Sequence, residues 1–357
     1  MPNGARVPDV RRIAVLRATA LGDLIFALPA LDSLRAAYPD AEIVLLGRAW
    51  HAEYLGGRPG PVDRVVALPK GLPPDDSPPL DAERDRDLLA SVAADGIDIA
   101  LQMHGGGRNS NPVVAALGAR VTAGTRTPDA PALDRSIPYV YFQAEVFRNL
   151  EIAGLVGAPS VTFEPALTAT DADLDAARRQ AAPELDHDDV APLAVIHPGA
   201  SDGRRRWPAT AFAEVADALA EGGARVAVTG IEAEAPIVAE MLAAMRCPAA
   251  NLAGRLDLLA LTGVLSRADV VVSNDTGPLH LAAALGRPTV GIYWCGNVIN
   301  AGPPFRARQR VLMSWRLRCP VCGVDCMTGT CPHRDSFVAD VPAADVARAA
   351  VELLAAG

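Results

Sequence analysis

Residues 269–293 read DVVVSNDTGPLHLAAALGRPTVGIY. Three consecutive valines, Val270 to Val272, form the short apolar run expected of a strand buried on both faces of a parallel sheet. Ser273, Asn274, Asp275, Thr276 and Gly277 are turn and cap formers. Pro278 falls where a first helical residue should sit, since proline lacks only an amide that has no intrahelical partner there. Leu279 to Leu285 read as a helix, Gly286-Arg287-Pro288 stop it, and Thr289 to Tyr293 begin another strand. A strand, a polar turn and a helix N-terminus together make the usual anion-holding corner of an α/β protein.

The same alternation runs outward from this stretch. Ile13 to Leu16 is a strand, Arg17 to Asp23 a loop, and Leu24, Leu28, Leu31 and Leu34 mark a helix. Strands follow at Ile43 to Leu46, Val62 to Leu68 and Ile97 to Met103, with a helix at Ala82 to Ala94. Pro69 to Asp81, rich in proline and aspartate, reads as a solvated connection. Alternating strands and helices imply a parallel sheet covered on both faces. Periodicity fades between Gly157 and Thr170, and a domain boundary is expected there. It resumes with a strand at Leu193 to Ile196, a helix after Trp207-Pro208, a strand at Arg225 to Thr229, and helices at Ala235 to Met245 and Leu258 to Leu265. An amphipathic helix closes the chain at Ala343 to Ala356.

A chain of 357 residues, half of them hydrophobic, is comfortable for two cores. The net charge of -9 and pI near 5.2 argue against general nucleic-acid binding, which needs a broad basic surface. Lys70 is the only lysine, so every other cationic role falls to arginine or histidine. The opening MPNGARVPDVRR lacks the apolar core of a signal peptide, and no uncharged apolar run of about 18 residues could span a bilayer. A cytoplasmic location is the expectation. Four of the six cysteines crowd into one segment instead of spreading as a disulfide framework.

Five motifs in order carry a resemblance. They are Leu21-Gly22-Asp23 with Leu28-Pro29-Ala30-Leu31, then His197-Pro198-Gly199 with Arg206-Trp207-Pro208, then Asn251-Leu252-Ala253-Gly254. Ser273-Asn274-Asp275-Thr276-Gly277 with His280 follows, and Arg287-Pro288 completes the series. From about residue 12 to 335 the chain resembles family 9 glycosyltransferases, the family of the ADP-heptose:lipopolysaccharide heptosyltransferases. The resemblance implies an α/β, GT-B architecture of two Rossmann-like domains with parallel sheets facing across a cleft. Residues 10–162 would bind the acceptor and carry the base. Residues 163–357 would bind the nucleotide-sugar and include the cysteine cluster and the C-terminal helix. It also implies an inverting transfer that needs no cofactor, from a nucleotide-sugar donor, with ADP-heptose foremost, to a glycan, lipid-linked or small-molecule hydroxyl.

Sugar transfer needs a base for the acceptor hydroxyl and stabilisation of the departing diphosphate. Asp23 follows a glycine at the start of a helix, beyond the end of the first strand, where ligands approach an open parallel sheet. The placement alone fits equally a carboxylate that complements the helix dipole; the resemblance makes Asp23 the base. Ser201 and the loop before Trp207 should offer amides and charge to phosphate. The family usually carries a lysine where Arg205 stands, and the planar fork of arginine replaces a compact ammonium. A solvated basic turn is the plain alternative for Arg204 to Arg206. The resemblance assigns the phosphate site also to Thr276, Gly277 and His280. Asp275 would repel a diphosphate, and suits a cap or an acceptor for sugar hydroxyls.

Thr229-Gly230 with Glu234 resembles the family's Gly-x-x-x-Glu, whose glutamate takes the ribose hydroxyls; a first-turn helix glutamate is the alternative. Leu256 is a candidate for packing on the base. His104, Arg108 and Asn109 would form a polar acceptor rim, although a flexible turn accounts for them as well. Cys319, Cys322, Cys326 and Cys331 are spaced densely enough for zinc or an iron-sulfur centre, with structural thiols or disulfides as the alternative. Arg306, Arg308, Arg310, Arg316 and Arg318 read as a solvated loop or as a patch for an anionic acceptor or peripheral membrane contact. A non-catalytic nucleotide-sugar-binding protein and a nucleotide-sugar epimerase on the same fold are the competing functions.

Overall fold

A computed structural model describes residues 4–69, 84–185 and 190–356 of the chain. It divides between Pro165 and Ala166 into two compact units. The first contains β1 (Arg12–Leu16), α1 (Leu21–Ala37), β2 (Glu42–Gly47), α2 (Ala49–Leu55), β3 (Arg64–Ala67), α3 (Arg84–Ala94), β4 (Ile99–Gln102), α4 (Ser110–Ala115), β5 (Val121–Arg126), β6 (Arg135–Pro138) and α5 (Glu145–Leu155). The second contains α6 (Asp171–Ala181), β7 (Leu193–His197), α7 (Ala209–Glu221), β8 (Arg225–Val228), α8 (Ala235–Ala244), β9 (Ala250–Asn251), α9 (Leu258–Ser266), β10 (Val270–Asn274), α10 (Gly277–Ala284), β11 (Thr289–Trp294), α11 (Cys295–Ala301), β12 (Gln309–Ser314) and α12 (Ala343–Ala355).

Each unit is built on a six-stranded sheet, ordered β3-β2-β1-β4-β5-β6 in the first and β12-β11-β10-β7-β8-β9 in the second. Every pairing is parallel. Read from β9, the second order repeats the first, so both are doubly wound sheets of the Rossmann type. The central strands explain the apolar runs. Ile13 and Val15, Ile43 to Leu46, and Val270 to Val272 are buried on alternating sides of sheets covered by helices on both faces. In the first unit α1 packs on α5; in the second α7 packs on α12. Trp207 and Phe212 meet edge to face in the core of the second unit, and the Trp207 indole N–H donates to Val341 O (3.0 Å).

Strand order reverses between β1 and β4 and again between β7 and β10. Loops after such neighbours leave in opposite directions, so the carboxyl ends of these four strands open a crevice in each sheet. Residues 17–20 and 103–109 lie at the first, and residues 198–206 and 275–276 at the second.

Several elements lie where the sequence offered no expectation: β5, β6, β9, α2, α5 and α6. The basic stretch from Arg306 to Arg318, read as a solvated loop or as a contact patch, contains β12, which pairs along β11 from Thr289 with Gln309 to Trp294 with Ser314. The connection expected at Pro69 to Asp81 falls outside the described residues beyond Pro69, as do Lys70 and the first two residues of the helix expected from Ala82. Among the described residues no helix is long and apolar enough to cross a membrane.

Candidate active site

In the first unit the site is built around a buried arginine. Arg17 follows the last residue of β1 and is only 4% exposed. Its Nη2 donates to Asp23 Oδ1 (2.9 Å) and to Glu145 Oε2 (3.2 Å), its Nε to the Asp23 carbonyl (3.1 Å), and its Nη1 to the Met103 carbonyl. One guanidinium thus ties β1, the first turn of α1, the end of β4 and the start of α5 together. Asp23 is the third residue of α1, and its Oδ2 accepts the Ala20 amide (3.2 Å), satisfying a donor the helix cannot. Burial pushes the Asp23 carboxyl up, but Arg17, the Ala20 amide and His104 outweigh it and hold its pKa below the ordinary carboxylate value. The carboxylate is therefore ionised at neutral pH. A third of its side chain, 33%, stays open to solvent.

The three residues expected on the acceptor rim separate. His104 is buried beside the Asp23 loop, with Nδ1 accepting the Ala18 amide (3.2 Å), which places the proton of a neutral ring on Nε2. Gln102 Nε2 donates to the carbonyls of His104 (2.7 Å) and Gly105 (3.0 Å), holding the turn. Gly107 has φ +92°, and a Cβ there would come within 2.6 Å of Asn111 Nδ2, so the turn requires glycine. Arg108 points outward, 73% exposed and 3.6 Å from Asp129. Asn109 lies half-buried at the start of α4.

In the second unit the loop after β7 and the turn after β10 meet. Asn274, fully buried, donates from Nδ2 to the carbonyls of Pro198 (2.8 Å) and Gly199 (3.2 Å) and accepts the Trp207 amide at Oδ1 (3.0 Å). One side chain thereby fixes both ends of the loop that carries Ser201 and Arg205. Arg205 Nη2 donates to Ser201 Oγ (3.2 Å), and its Nη1 donates to the Asp275 carbonyl (3.1 Å) and lies 3.6 Å from Asp275 Oδ2. Thr276 is the N-cap residue of α10, and no side chain caps that terminus. Pro278 contributes no amide, so the first-turn N–H groups available there are those of Gly277 and Leu279.

Asp275, expected to cap or to meet sugar hydroxyls, is 2% exposed with both oxygens engaged. Oδ1 is 3.0 Å from His280 Nε2, and Oδ2 accepts from Asn297 Nδ2 (2.9 Å). Burial favours its neutral form, but His280, Arg205 and Asn297 hold its pKa below the ordinary value. An ionised Asp275 requires the bonded His280 nitrogen to be the donor. His280 is therefore committed to Asp275 through Nε2, and Asp275 in turn meets Arg205.

Thr229 is buried at the end of β8, where its hydroxyl meets His197 Nδ1 (3.2 Å). Glu234 Oε2 accepts the Ile231 amide (3.0 Å) and lies 3.7 Å from His197 Nε2. Burial lowers the His197 pKa despite Glu234. A Cβ on Gly199 would lie 2.1–2.4 Å from the Glu234 carboxyl atoms, which accounts for glycine there. Leu256 is half-buried in the loop before α9.

Residues 86–326 match Glycosyltransferase family 9 (heptosyltransferase). The chain belongs to glycosyltransferase family 9. Among curated relatives, the Haemophilus influenzae lipopolysaccharide core heptosyltransferase OpsX is 32% identical over 111 residues, 30% of this chain and 32% of that protein. The matched segment thus spans about a third of that relative's length. Among solved structures, a family 9 glycosyl transferase from Veillonella parvula DSM 2008 superposes with a TM-score of 0.80 at 19% identity, covering 99% of this chain and 100% of that one. E. coli ADP-heptose lps heptosyltransferase II gives 0.76 at 21% identity, covering 97% and 99%. Together with the two parallel sheets, these likenesses show the GT-B fold. Asp23 precedes the stretch matched to family 9, so its place rests on the geometry around Arg17 and on the motif.

For this family 9 chain the sequence reading missed Arg17 and Asn297, and it took Asn274 for a turn former without its bonds to the Pro198, Gly199 and Trp207 backbone. A charged residue directly after an apolar strand was the available signal for Arg17. Of the cysteines, Cys319, Cys322 and Cys331 come together with His333, the ligand atoms all lying within 4.8 Å of one another. Cys326 stands outside that group, with its Sγ 3.9 Å from Cys331 Sγ.

Proposed function

We propose that this chain is an inverting glycosyltransferase that moves heptose from ADP-heptose to a hydroxyl of a glycan, lipid-linked or small-molecule acceptor in the cytoplasm. The observation that carries the reading is Asp23: an ionised carboxylate fixed by a buried arginine at the switch point of one sheet, yet still open. The E. coli relative's name supplies the donor, and the OpsX and E. coli names point to lipopolysaccharide assembly.

In the proposed reaction the acceptor oxygen attacks the anomeric carbon as the bond from that carbon to the diphosphate breaks. The electron pair leaves with the diphosphate, and a single displacement inverts the carbon. The acceptor proton passes to Asp23. With its pKa held low, Asp23 is a weak base and takes the proton late, when the acceptor oxygen has become acidic through bonding to the sugar. Arg17 keeps the carboxylate charged and aimed. On the donor side, Arg205 and the amides of Gly277 and Leu279 receive the charge growing on the diphosphate, the fork by charge-assisted bonds and the amides through the helix terminus. Thr276 and Ser201 complete that rim, with Asp275 and His280 positioning Arg205. Glu234 takes the ribose hydroxyls and Leu256 packs on the base.

Thermal stabilisation by a panel of nucleotide-sugars tests the donor, because a ligand that binds only the folded chain raises its stability by mass action. ADP and ADP-heptose should stabilise the protein selectively. Equal shifts with UDP-, GDP- and ADP-sugars, or none, would refute the assignment.

A further inference from the structure

Residues 315–333 leave β12 and fold with almost no apolar interior: Trp315, Leu317, Val321 and Val324 are all exposed. A segment that buries so little needs another staple. The backbone makes a tight hairpin, with the Cys319 amide donating to Val324 O (2.9 Å) and the Gly323 amide to Cys319 O (3.0 Å). Gly323 takes the left-handed conformation, φ +72°, at the turn that brings Val324 back to Cys319. Cys331 and His333, further along the chain, come back to this hairpin. The four ligand atoms of Cys319, Cys322, Cys331 and His333 lie within 4.8 Å of one another. A tetrahedral ion with metal–sulfur bonds of about 2.3 Å needs ligand atoms about 3.8 Å apart, so closure asks for movements of about an ångström or less. His333 Nδ1 is buried without a hydrogen-bond partner, an orphan that coordination would satisfy.

We propose that Cys319, Cys322, Cys331 and His333 hold one divalent ion, zinc or ferrous iron, in a closed structural site that clamps the Arg205 loop. Three thiolates and one imidazole form a complete tetrahedral set with no open position, the arrangement of a structural and not a catalytic centre. The clamp is the chain directly after His333. Arg334 Nη1 lies 3.6 Å from Asp202 Oδ1, and a Cβ on Gly203 would sit 3.0 Å from the Arg334 carbonyl. Ser336 Oγ donates to the Arg206 carbonyl (2.6 Å) and the Phe337 amide to the Arg204 carbonyl (2.7 Å). Carbonyls on both sides of Arg205 are thus held by residues three and four positions beyond a metal ligand. The consequence for donor binding rests on the role of Arg205 proposed above; the metal site and the clamp do not.

Elemental analysis of the full-length protein, purified reduced and without oxygen, should find one zinc or one iron per chain, and which metal appears names the ion. Exchange into Co2+ should give thiolate-to-cobalt absorption in the near ultraviolet and tetrahedral bands in the visible. Cys322→Ser, at an exposed position, and His333→Ala should lose the stoichiometry and the spectrum, whereas Cys326→Ser should keep both. Less than a tenth of an equivalent of metal, a Cys326–Cys331 disulfide in the reduced preparation, or loss with Cys326→Ser but not His333→Ala would overturn the site. Removing the ion with a chelator should speed amide hydrogen exchange at 204–207 by about tenfold or more, and zinc should restore protection. Unchanged exchange there would overturn the clamp. Neither readout uses a nucleotide, so failure of the donor assignment would show separately, as metal bound and loop protected without stabilisation by ADP.

Discussion

Replacing Arg17 by Met removes the cation that organises the Asp23 cluster of the first unit while keeping most of the volume. The guanidinium is 4% exposed and serves Asp23, 33% exposed, and Glu145, 17% exposed. It also donates to the carbonyls of Asp23 and Met103. Breaking a fully buried ion pair costs about 3–5 kcal/mol. Here the loss is smaller, because Asp23 is partly solvated and Glu145 keeps Arg148, so we expect about 2–4 kcal/mol at pH 7. For a unit of this size that lowers the unfolding midpoint by roughly 4–16 °C. Denaturant unfolding of wild type, Arg17→Met, Asp23→Asn and the double variant closes a cycle, and the coupling should exceed about 1 kcal/mol. The Asp23 share also carries a pH signature. Its folded pKa is depressed, so this stability is complete above the unfolded value near 4 and disappears as pH falls through the folded value. The difference between wild type and Arg17→Met should therefore shrink in acid. A coupling within 0.3 kcal/mol of zero, the scatter of independent sites, or a pH-independent difference, would refute the account.

Burial first, then Arg48 and Arg17, lowers the His51 pKa to about 4, so the unfolded chain binds the extra proton between pH 6.5 and 4. Stability should be full above pH 6.5 and fall by about 3 kcal/mol on acidification to pH 4, and His51→Gln should flatten that slope in urea midpoints against pH. Gly199→Ala would drive a methyl to 2.1 Å from the Glu234 carboxyl carbon; displacing Glu234 should weaken ADP about tenfold by calorimetry, and unchanged affinity would remove Glu234 from nucleoside binding. Arg205→Lys should keep ADP affinity within about tenfold of wild type, whereas Arg205→Met should lose more than that, since only the lysine retains a charge for phosphate; equal losses in both would mean that the fork, not the charge, binds.

The central strands were readable because burial on both faces leaves nothing but apolar residues, as at Ile13 to Leu16 and Val270 to Val272. The edges were not. β12 mixes Gln309 and Arg310 with apolar residues because an edge strand is only half covered, and β9 is two residues long. α6 buries alanines, Ala176, Ala177 and Ala181, so its period lacks large side chains, although Thr170 with Asp173 forms a capping box that marks its start. Asp23 in the first turn of α1, Arg205 in the loop after β7 and Thr276 at the N-cap of α10 each stand just beyond a strand end whose position follows from strand order, and local pattern suffices to find them. Arg17 is different. Its meaning lies in Glu145, 128 residues away, and long-range pairing leaves no local trace. Asp275 shows the opposite case, where the motif was visible but only the positions of His280 and Asn297 reveal an anchored carboxylate instead of an exposed one.

Transfer by Asp23→Asn, measured in single turnover beside ADP affinity on the same preparation, tests the central claim most directly. The amide keeps the size of the side chain but cannot take the acceptor proton. Transfer should fall by about 100-fold or more, the usual worth of a general base, with ADP affinity unchanged. Transfer within a few-fold of wild type would contradict Asp23 as the base.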